Sequence, residues 1–275
     1  MAPSLYSDIG KRVKDLLTKD YNYDQKFTLT LPSDSGMGLT ATGVKTNHLF
    51  IGDLSTQYRS GSTTVDVKVD TDSNVSTTVT MNEVLPSTRA ALSFKLPDHK
   101  SGKLDVQYLH HHAAINSSIG LTPTPFVDLA AAIGTKELSI GGEIGFDTAT
   151  ASITKCNAGI GVNKPDFSAA LMLVEKGESL KASYIHEVNP IYGATVGAEL
   201  THRLSSNENS SFTIGTSYAP DPFTSIKTRL SNKGSAAMVV QREWRPKSLI
   251  TMSAECNAWA INKAPRFGLA LALKP

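Results

Sequence analysis

The sequence predicts an all-β fold: a membrane-spanning antiparallel β-barrel with a single amphipathic α-helix at its N-terminus. Three observations lead there. From residue 25 to the end, apolar residues recur with period two, the repeat of a strand with one apolar and one polar face. Only residues 1–24 break that rule, with apolar residues at helical spacing. Hydrophobic residues make up 40% of the 275, few for the core that a soluble domain of this length must fill. A barrel with a wet lumen needs only one apolar face.

Residues 1–24 form the first unit, helix and link. Leu5, Ile9, Val13, Leu16 and Leu17 make one narrow apolar stripe, and Lys11, Arg12, Lys14, Asp15 and Lys19 cover the rest of the surface. Ser4 or Ser7 is placed to cap the start, Asp8 suits the positive end of the helix dipole, and Gly10 weakens the middle. The segment is too charged for a secretory signal, and Asp8, Asp15 and Asp20 count against a cleaved transit peptide. No run in the chain reaches the length of a membrane-spanning apolar helix. The inside of the barrel offers this helix a resting place.

Residues 25–275 form the second unit, the barrel. Phe27, Leu29 and Leu31 alternate with Lys26, Thr28 and Thr30, and Val65, Val67 and Val69 with Asp66, Lys68 and Asp70. The rule continues through Val75–Asn82, Arg89–Leu96, Lys103–Tyr108 and Ile140–Asp147, and returns in the last strand at Phe267, Leu269, Leu271 and Leu273. Turn signals separate the runs at short intervals: Ser33 to Gly36, Ser60-Gly61, Asp72-Ser73-Asn74, Pro97 to Gly102, Asn163 to Pro165, Glu175 to Glu178, Asn189-Pro190, Ser205 to Ser210, Pro220 to Pro222, Ser231 to Gly234 and Arg245 to Lys247. Such spacing marks hairpins, because parallel strands would need long crossovers. Residues 36–53 and 123–132 are the least regular.

A soluble sandwich would show the same alternation strand by strand. The membrane barrel is favoured because charges recur on one face of strand after strand while the other stays apolar. Tyr58, Tyr108, Tyr184, Tyr218 and Trp244 also lie near strand ends on the apolar face, where interfacial girdles form. A sheet crosses a bilayer only when it closes. The balance of 27 Lys+Arg against 25 Asp+Glu says little by itself. Cys156 and Cys256 show neither metal spacing nor a disulfide framework and read as inert thiols on the apolar side.

The stretches Leu5-Tyr6-Ser7-Asp8-Ile9-Gly10-Lys11 and Asp15-Leu16-Leu17-Thr18-Lys19-Asp20-Tyr21 resemble the N-terminus of the mitochondrial porins, the voltage-dependent anion channels. Pro97-Asp98-His99-Lys100-Ser101-Gly102-Lys103, Glu243-Trp244-Arg245-Pro246-Lys247-Ser248 and the closing Leu269-Ala270-Leu271-Ala272-Leu273-Lys274-Pro275 are similar to the plant branch. The resemblance implies a barrel of about 19 strands, a count that is the family's own, with first and last strands parallel and the helix inside the pore. It implies a voltage-gated, weakly anion-selective channel for ATP, ADP, phosphate and inorganic ions in the mitochondrial outer membrane, other plant membranes not being excluded. It further implies lipid as surroundings, hexokinase and further copies of the chain as partners, and neither cofactor nor metal. Arg266, Gly268, Leu271 and Leu273 stand where the family carries its membrane-sorting signal. Two departures stand out. The glycine-rich link of animal members is replaced by Asp20-Tyr21-Asn22-Tyr23-Asp24, and Val67 occupies the place of a lipid-facing glutamate.

An open pore needs no catalytic group, only a lumen whose potential suits its cargo. The expected anion or nucleotide contacts are Lys11, Arg12, Lys14 and Lys19 on the helix and Lys68, Lys95, Lys103, Lys227 and Arg229 on polar strand faces. Asp66, Asp70, Asp105, Glu143 and Glu199 offset them in part. Lys11, Lys14 and Lys19 match positions that the family uses to touch nucleotides. No nucleophile, base or metal cluster stands out, so no enzyme is expected. His110-His111-His112 reads as a turn, and Gly141-Gly142 and Gly159-Ile160-Gly161 lack the following helix of a phosphate loop. Two other readings compete: a protein-conducting barrel of the related translocase family, and a soluble β protein binding apolar ligands.

Overall fold

The computed structural model describes residues 4–32, 36–46, 49–98, 100–189, 193–204, 210–259 and 264–274. After the short N-terminal segment come nineteen strands: β1 (Gln25–Pro32), β2 (Met37–Thr46), β3 (Leu49–Ser60), β4 (Thr63–Asp70), β5 (Val75–Asn82), β6 (Thr88–Leu96), β7 (Lys103–Leu109), β8 (Ala113–Gly120), β9 (Phe126–Gly134) and β10 (Leu138–Asp147). They continue as β11 (Ser152–Asn163), β12 (Phe167–Val174), β13 (Ser179–Asn189), β14 (Ala194–Arg203), β15 (Ser211–Asp221), β16 (Thr224–Ser231), β17 (Ser235–Arg245), β18 (Ser248–Asn257) and β19 (Arg266–Leu273). Each pairs antiparallel with its sequence neighbours. The ring closes by parallel pairing of β1 with β19, Gln25 opposite Leu269 through Leu29 opposite Leu273. An odd number of strands in an up-and-down ring forces one parallel seam, since first and last strands then point the same way. The expected barrel, its strand count and its seam are therefore as the sequence and the resemblance indicated.

The period of two sorts side chains to opposite faces. The outer face carries exposed Phe27, Leu54, Leu92, Phe94, Ile140, Ile144, Leu171, Met238, Met252 and Leu269, an apolar belt of the kind lipid requires. Tyr58, Tyr108, Tyr184, Tyr218 and Trp244 are all exposed on it. Tyr184 lies mid-strand and stacks near Phe167 and His186, so it does not belong to a terminal girdle. Cys156 and Cys256 are free and exposed. Val67 pairs with Thr56 and Thr77 on the same outer face. The irregular stretches resolve into β2, β3 and β9, where Gly38, Gly43, Gly52 and the run Ala130-Ala131-Ala132 blur the alternation without breaking the ladder. Turn signals falling at 33–35, 190 and 205–209, and His99, lie outside the described residues.

The N-terminal segment differs from the single helix expected. A 3-10 turn covers Tyr6–Asp8, Gly10 takes a left-handed conformation (φ 73), and α1 runs only from Lys11 to Thr18. Gly10, not a serine, holds the position before α1, and neither Ser4 nor Ser7 caps a helix end. The left-handed turn is open to glycine at little cost and re-aims the chain between two patches of wall. Eight residues are too few to stay helical in water. Packing against the barrel must supply the stability.

Candidate functional site

The site is the lumen with the docked N-terminal segment. Tyr6 and Ile9 pack on Ala132 and Ala170, and Val13, Leu16 and Leu17 on Ile185. Val13 is wholly buried. At roughly 1.5–3 kcal/mol for each apolar side chain taken from water, this stripe is the main attraction between segment and wall. The wall beneath it is hollowed by glycine. A Cβ at Gly197 would lie 2.8 Å from Leu16 Cδ2, one at Gly215 2.5 Å from Leu17 Cδ2, and one at Gly161 3.1 Å from Ile9 Cγ2. These glycines, with Gly159, are inward positions on β11, β14 and β15. Gly159-Ile160-Gly161 is thus part of the helix seat and not a phosphate loop, whereas Gly141 and Gly142 lie against the neighbouring strands β9 and β11. The legible signal was glycine recurring at inward positions of several strands; only its purpose was hidden.

After α1 the link crosses the inner wall strand by strand. Asp20, in a left-handed turn (φ 76), pairs with Lys227 on β16 at 2.8 Å. Tyr21 packs on Ala237 and Val239 of β17. The Ser253 hydroxyl on β18 donates to the Asn22 carbonyl, which also lies where a Cβ at Gly268 on β19 would stand. The Leu269 amide donates to the Asp24 carbonyl at 3.2 Å, and β1 begins at the next residue. Gly268 is therefore needed by the link, whatever else reads it. Arg266 shares the inner face, while Leu271 and Leu273 face outward beside Phe27 and Leu29.

The predicted basic residues fall into two groups. In the first, each has an acidic partner: Lys11 with Asp8 at 2.9 Å, Lys68 with Asp53 at 3.2 Å, Lys103 with Asp105 at 3.0 Å, Lys227 with Asp20, and Arg229 with Glu255 at 3.5 Å. Lys155 and Lys181, on the same face, meet Asp128, Glu143 and Glu199. In the second, no acidic partner is found among the described residues: Arg12, Lys14, Lys19 and Lys95. Arg12 donates to the Lys164 carbonyl at 3.0 Å. The three on the N-terminal segment are exposed. The Asp8 carboxylate, through its hydrogen bond and its charge, holds the Lys11 ammonium above its ordinary pKa.

Between the 3-10 turn and the wall lies a cavity of about 340 Å³ lined by Tyr6, Ile9, Lys14, Glu143, Asn157 and Lys181, among others. The buried Tyr6 hydroxyl has no hydrogen-bond partner among the described residues, and burial followed by the nearby Glu143 charge raises its pKa. Among the described residues no cluster could hold a metal ion.

Such a closed barrel, apolar outside, wet inside and carrying a docked helix, defines a membrane-spanning β-barrel channel. The chain matches the eukaryotic porin family over residues 2–268, and it belongs to that family. It is 59% identical to mitochondrial outer membrane protein porin 6 of Oryza sativa subsp. japonica over 99% of both chains. It is 58% identical to mitochondrial outer membrane protein porin 4 of Arabidopsis thaliana, over 100% of this chain and 99% of that one. An outer plastidial membrane protein porin of Pisum sativum is 48% identical over 99% of both. Neither the translocase reading nor the soluble one is favoured by these likenesses.

Proposed function

We propose that the protein is a voltage-gated, weakly anion-selective channel of the mitochondrial outer membrane, passing ATP, ADP, phosphate and inorganic ions. The observation that carries this reading is the charge inventory of the lumen. Wall cations such as Lys68, Lys103, Lys155, Lys181 and Lys227 sit beside a carboxylate, whereas Arg12, Lys14 and Lys19 on the segment, with Lys95 on the wall, have no acidic partner among the described residues. A few unbalanced cations in a wide aqueous pore raise the local concentration of anions without excluding cations. Asp15, Asp66 and Asp70 temper the preference further. One elementary charge moved through 100 mV is worth about 2.3 kcal/mol, so a small displacement of this charged segment is enough for voltage sensitivity. The names of the rice and Arabidopsis relatives support the mitochondrial location; the pea relative's name makes plastids the alternative, which a fluorescent fusion distinguishes.

Planar-bilayer recording in a salt gradient tests the reading. The wild-type reversal potential should show mild anion preference, and Lys11→Glu with Lys14→Glu should shift it toward cations. An unchanged potential would place those lysines outside the conducting path. We also extend three family properties to this chain as proposals. Arg266, Gly268, Leu271 and Leu273 act as sorting signal, testable by import of last-strand variants, and hexokinase binding and self-association are testable by co-sedimentation and crosslinking in membranes.

A further inference from the structure

The helix is held to the wall by apolar contact, but the link is held by charge. Lys227 and Arg229 stand two residues apart on the inner face of β16. Lys227 Nζ pairs with Asp20 at 2.8 Å, with only 16% and 25% of the two side chains exposed. Arg229 Nη1 donates to the Leu17 carbonyl at 2.9 Å, one of the carbonyls left open at the end of α1. Its Nη2 donates to the Tyr23 hydroxyl at 3.2 Å and lies 3.5 Å from Glu255. Its guanidinium carbon sits 4.6 Å from the centre of the Tyr21 ring. One planar group thus ties helix end, link and wall together, which a lysine could not do. Half-buried charges interact more strongly than exposed ones, and removing one partner strands the other.

We propose that Lys227 and Arg229 form a latch: positioning residues that pin the helix end and link, so that the segment leaves the wall only when the latch opens. Resting on the voltage-gated reading above, the latch also sets the voltage at which the channel closes. An electric field exerts force on charged groups and almost none on the apolar seat. The geometry around the latch favours this role. The link has no glycine, Asp20 already occupies a left-handed turn, and Tyr21 is buried, so the segment cannot swing freely about residues 20–24 while the pairs hold. Two of the cations expected to meet passing anions are therefore spent within the protein.

The test uses the full chain with Cys156→Ser, Cys256→Ser and Val13→Cys, so that one thiol sits at the buried centre of the seat. With the latch intact, a water-soluble thiol reagent should label it slowly in liposomes at zero voltage. Lys227→Met or Arg229→Gln should each speed labelling about tenfold, the effect of roughly one lost half-buried pair. The exchange Asp20→Lys with Lys227→Asp should return the rate to near the parent's. In bilayers the single variants should close at lower voltage and the exchange should restore it. The latch is overturned if the single variants label as slowly as the parent, if the exchange does not restore the rate, or if labelling rises while the closing voltage stays put. A parent channel that does not close with voltage would instead sink the gating reading, and labelling alone would then decide the pinning.

Discussion

Two arcs of the same barrel obey the same alternation and present unlike inner faces. On β3–β8 the inward residues include Asp53, Ser55, Gln57, Asp66, Lys68, Thr78, Ser93, Lys95, Asp105 and Asn116, a surface rich in hydroxyls, amides and charges. On β10–β15 the inward set includes Ser139, Gly141, Gly159, Gly161, Ala170, Gly197 and Gly215, stripped of bulk where the helix rests. One arc is a wall for water and the other a mould for a stripe. A lipid-facing exterior constrains both arcs alike, so the inner positions alone are free to diverge, and function is written there.

The sharpest way to break this contrast is to fill the mould. Gly215→Val should displace Leu17 outright, because even a lone Cβ would lie 2.5 Å from its Cδ2 and 2.9 Å from the Thr228 carbonyl oxygen. Losing the burial of Leu16 and Leu17 together costs about 3–5 kcal/mol, more than a helix of eight residues can recover by itself. The expected outcome is an undocked segment, read as fast labelling of Val13→Cys in a barrel whose strand content by circular dichroism is unchanged. If the thiol stays protected, the glycines are not the seat.

Trimming the stripe should do less. Leu16→Ala removes one buried side chain and leaves the mould intact, a loss of about 2 kcal/mol in docking. Protease cleavage within the segment should quicken about tenfold or more by that loss, with single-channel conductance retained. Cleavage at the wild-type rate would show that Leu16 contributes nothing to holding the helix.

The link adds a pH dependence of its own. Burial, partly countered by Arg229, pushes the Tyr21 hydroxyl up to about 12. In the undocked link the phenol ionises near its ordinary value of roughly 10. Docking is therefore unaffected by this group below that value, and it weakens as pH rises from there through the docked value, since only the released link can shed the proton. Ultraviolet titration should find a late phenolate fraction that shrinks in Tyr21→Phe. A Tyr21→Phe titration identical to wild type would mean that the ring is not buried.

What could be read beforehand follows the same divide. Strands such as Val65–Asp70 were legible because lipid outside and water inside impose a local period. β2 and β9 were faint because Gly38, Gly43 and three successive alanines carry little hydrophobic contrast. The helical stripe was legible from Ile9, Val13, Leu16 and Leu17, but its break at Gly10 depends on fitting two separate patches, beside Ser183 and Ala170. Lys227 and Arg229 were placed on the correct face from their spacing. Their partners were not, because Asp20 lies 207 residues from Lys227 and no local pattern joins them.

The smallest expected effect is the control for the largest. Gly38 on β2 is also an inward glycine, opposite Gln57 and Pro32, but away from the helix seat, and a Cβ there meets nothing within 4 Å among the described residues. Gly38→Ala should be neutral or stabilise slightly, by up to about 0.5–1 kcal/mol, because it reduces the freedom of the unfolded chain at no steric cost. Docking, conductance and thermal stability should match wild type within that margin. Gly215→Ala, the same chemical change on the covered arc, should speed labelling of Val13→Cys. If the two substitutions behaved alike, inward glycine would be a general feature of this barrel and the helix would own no seat. A difference between them assigns the missing side chains on β14 and β15 to the helix that rests there.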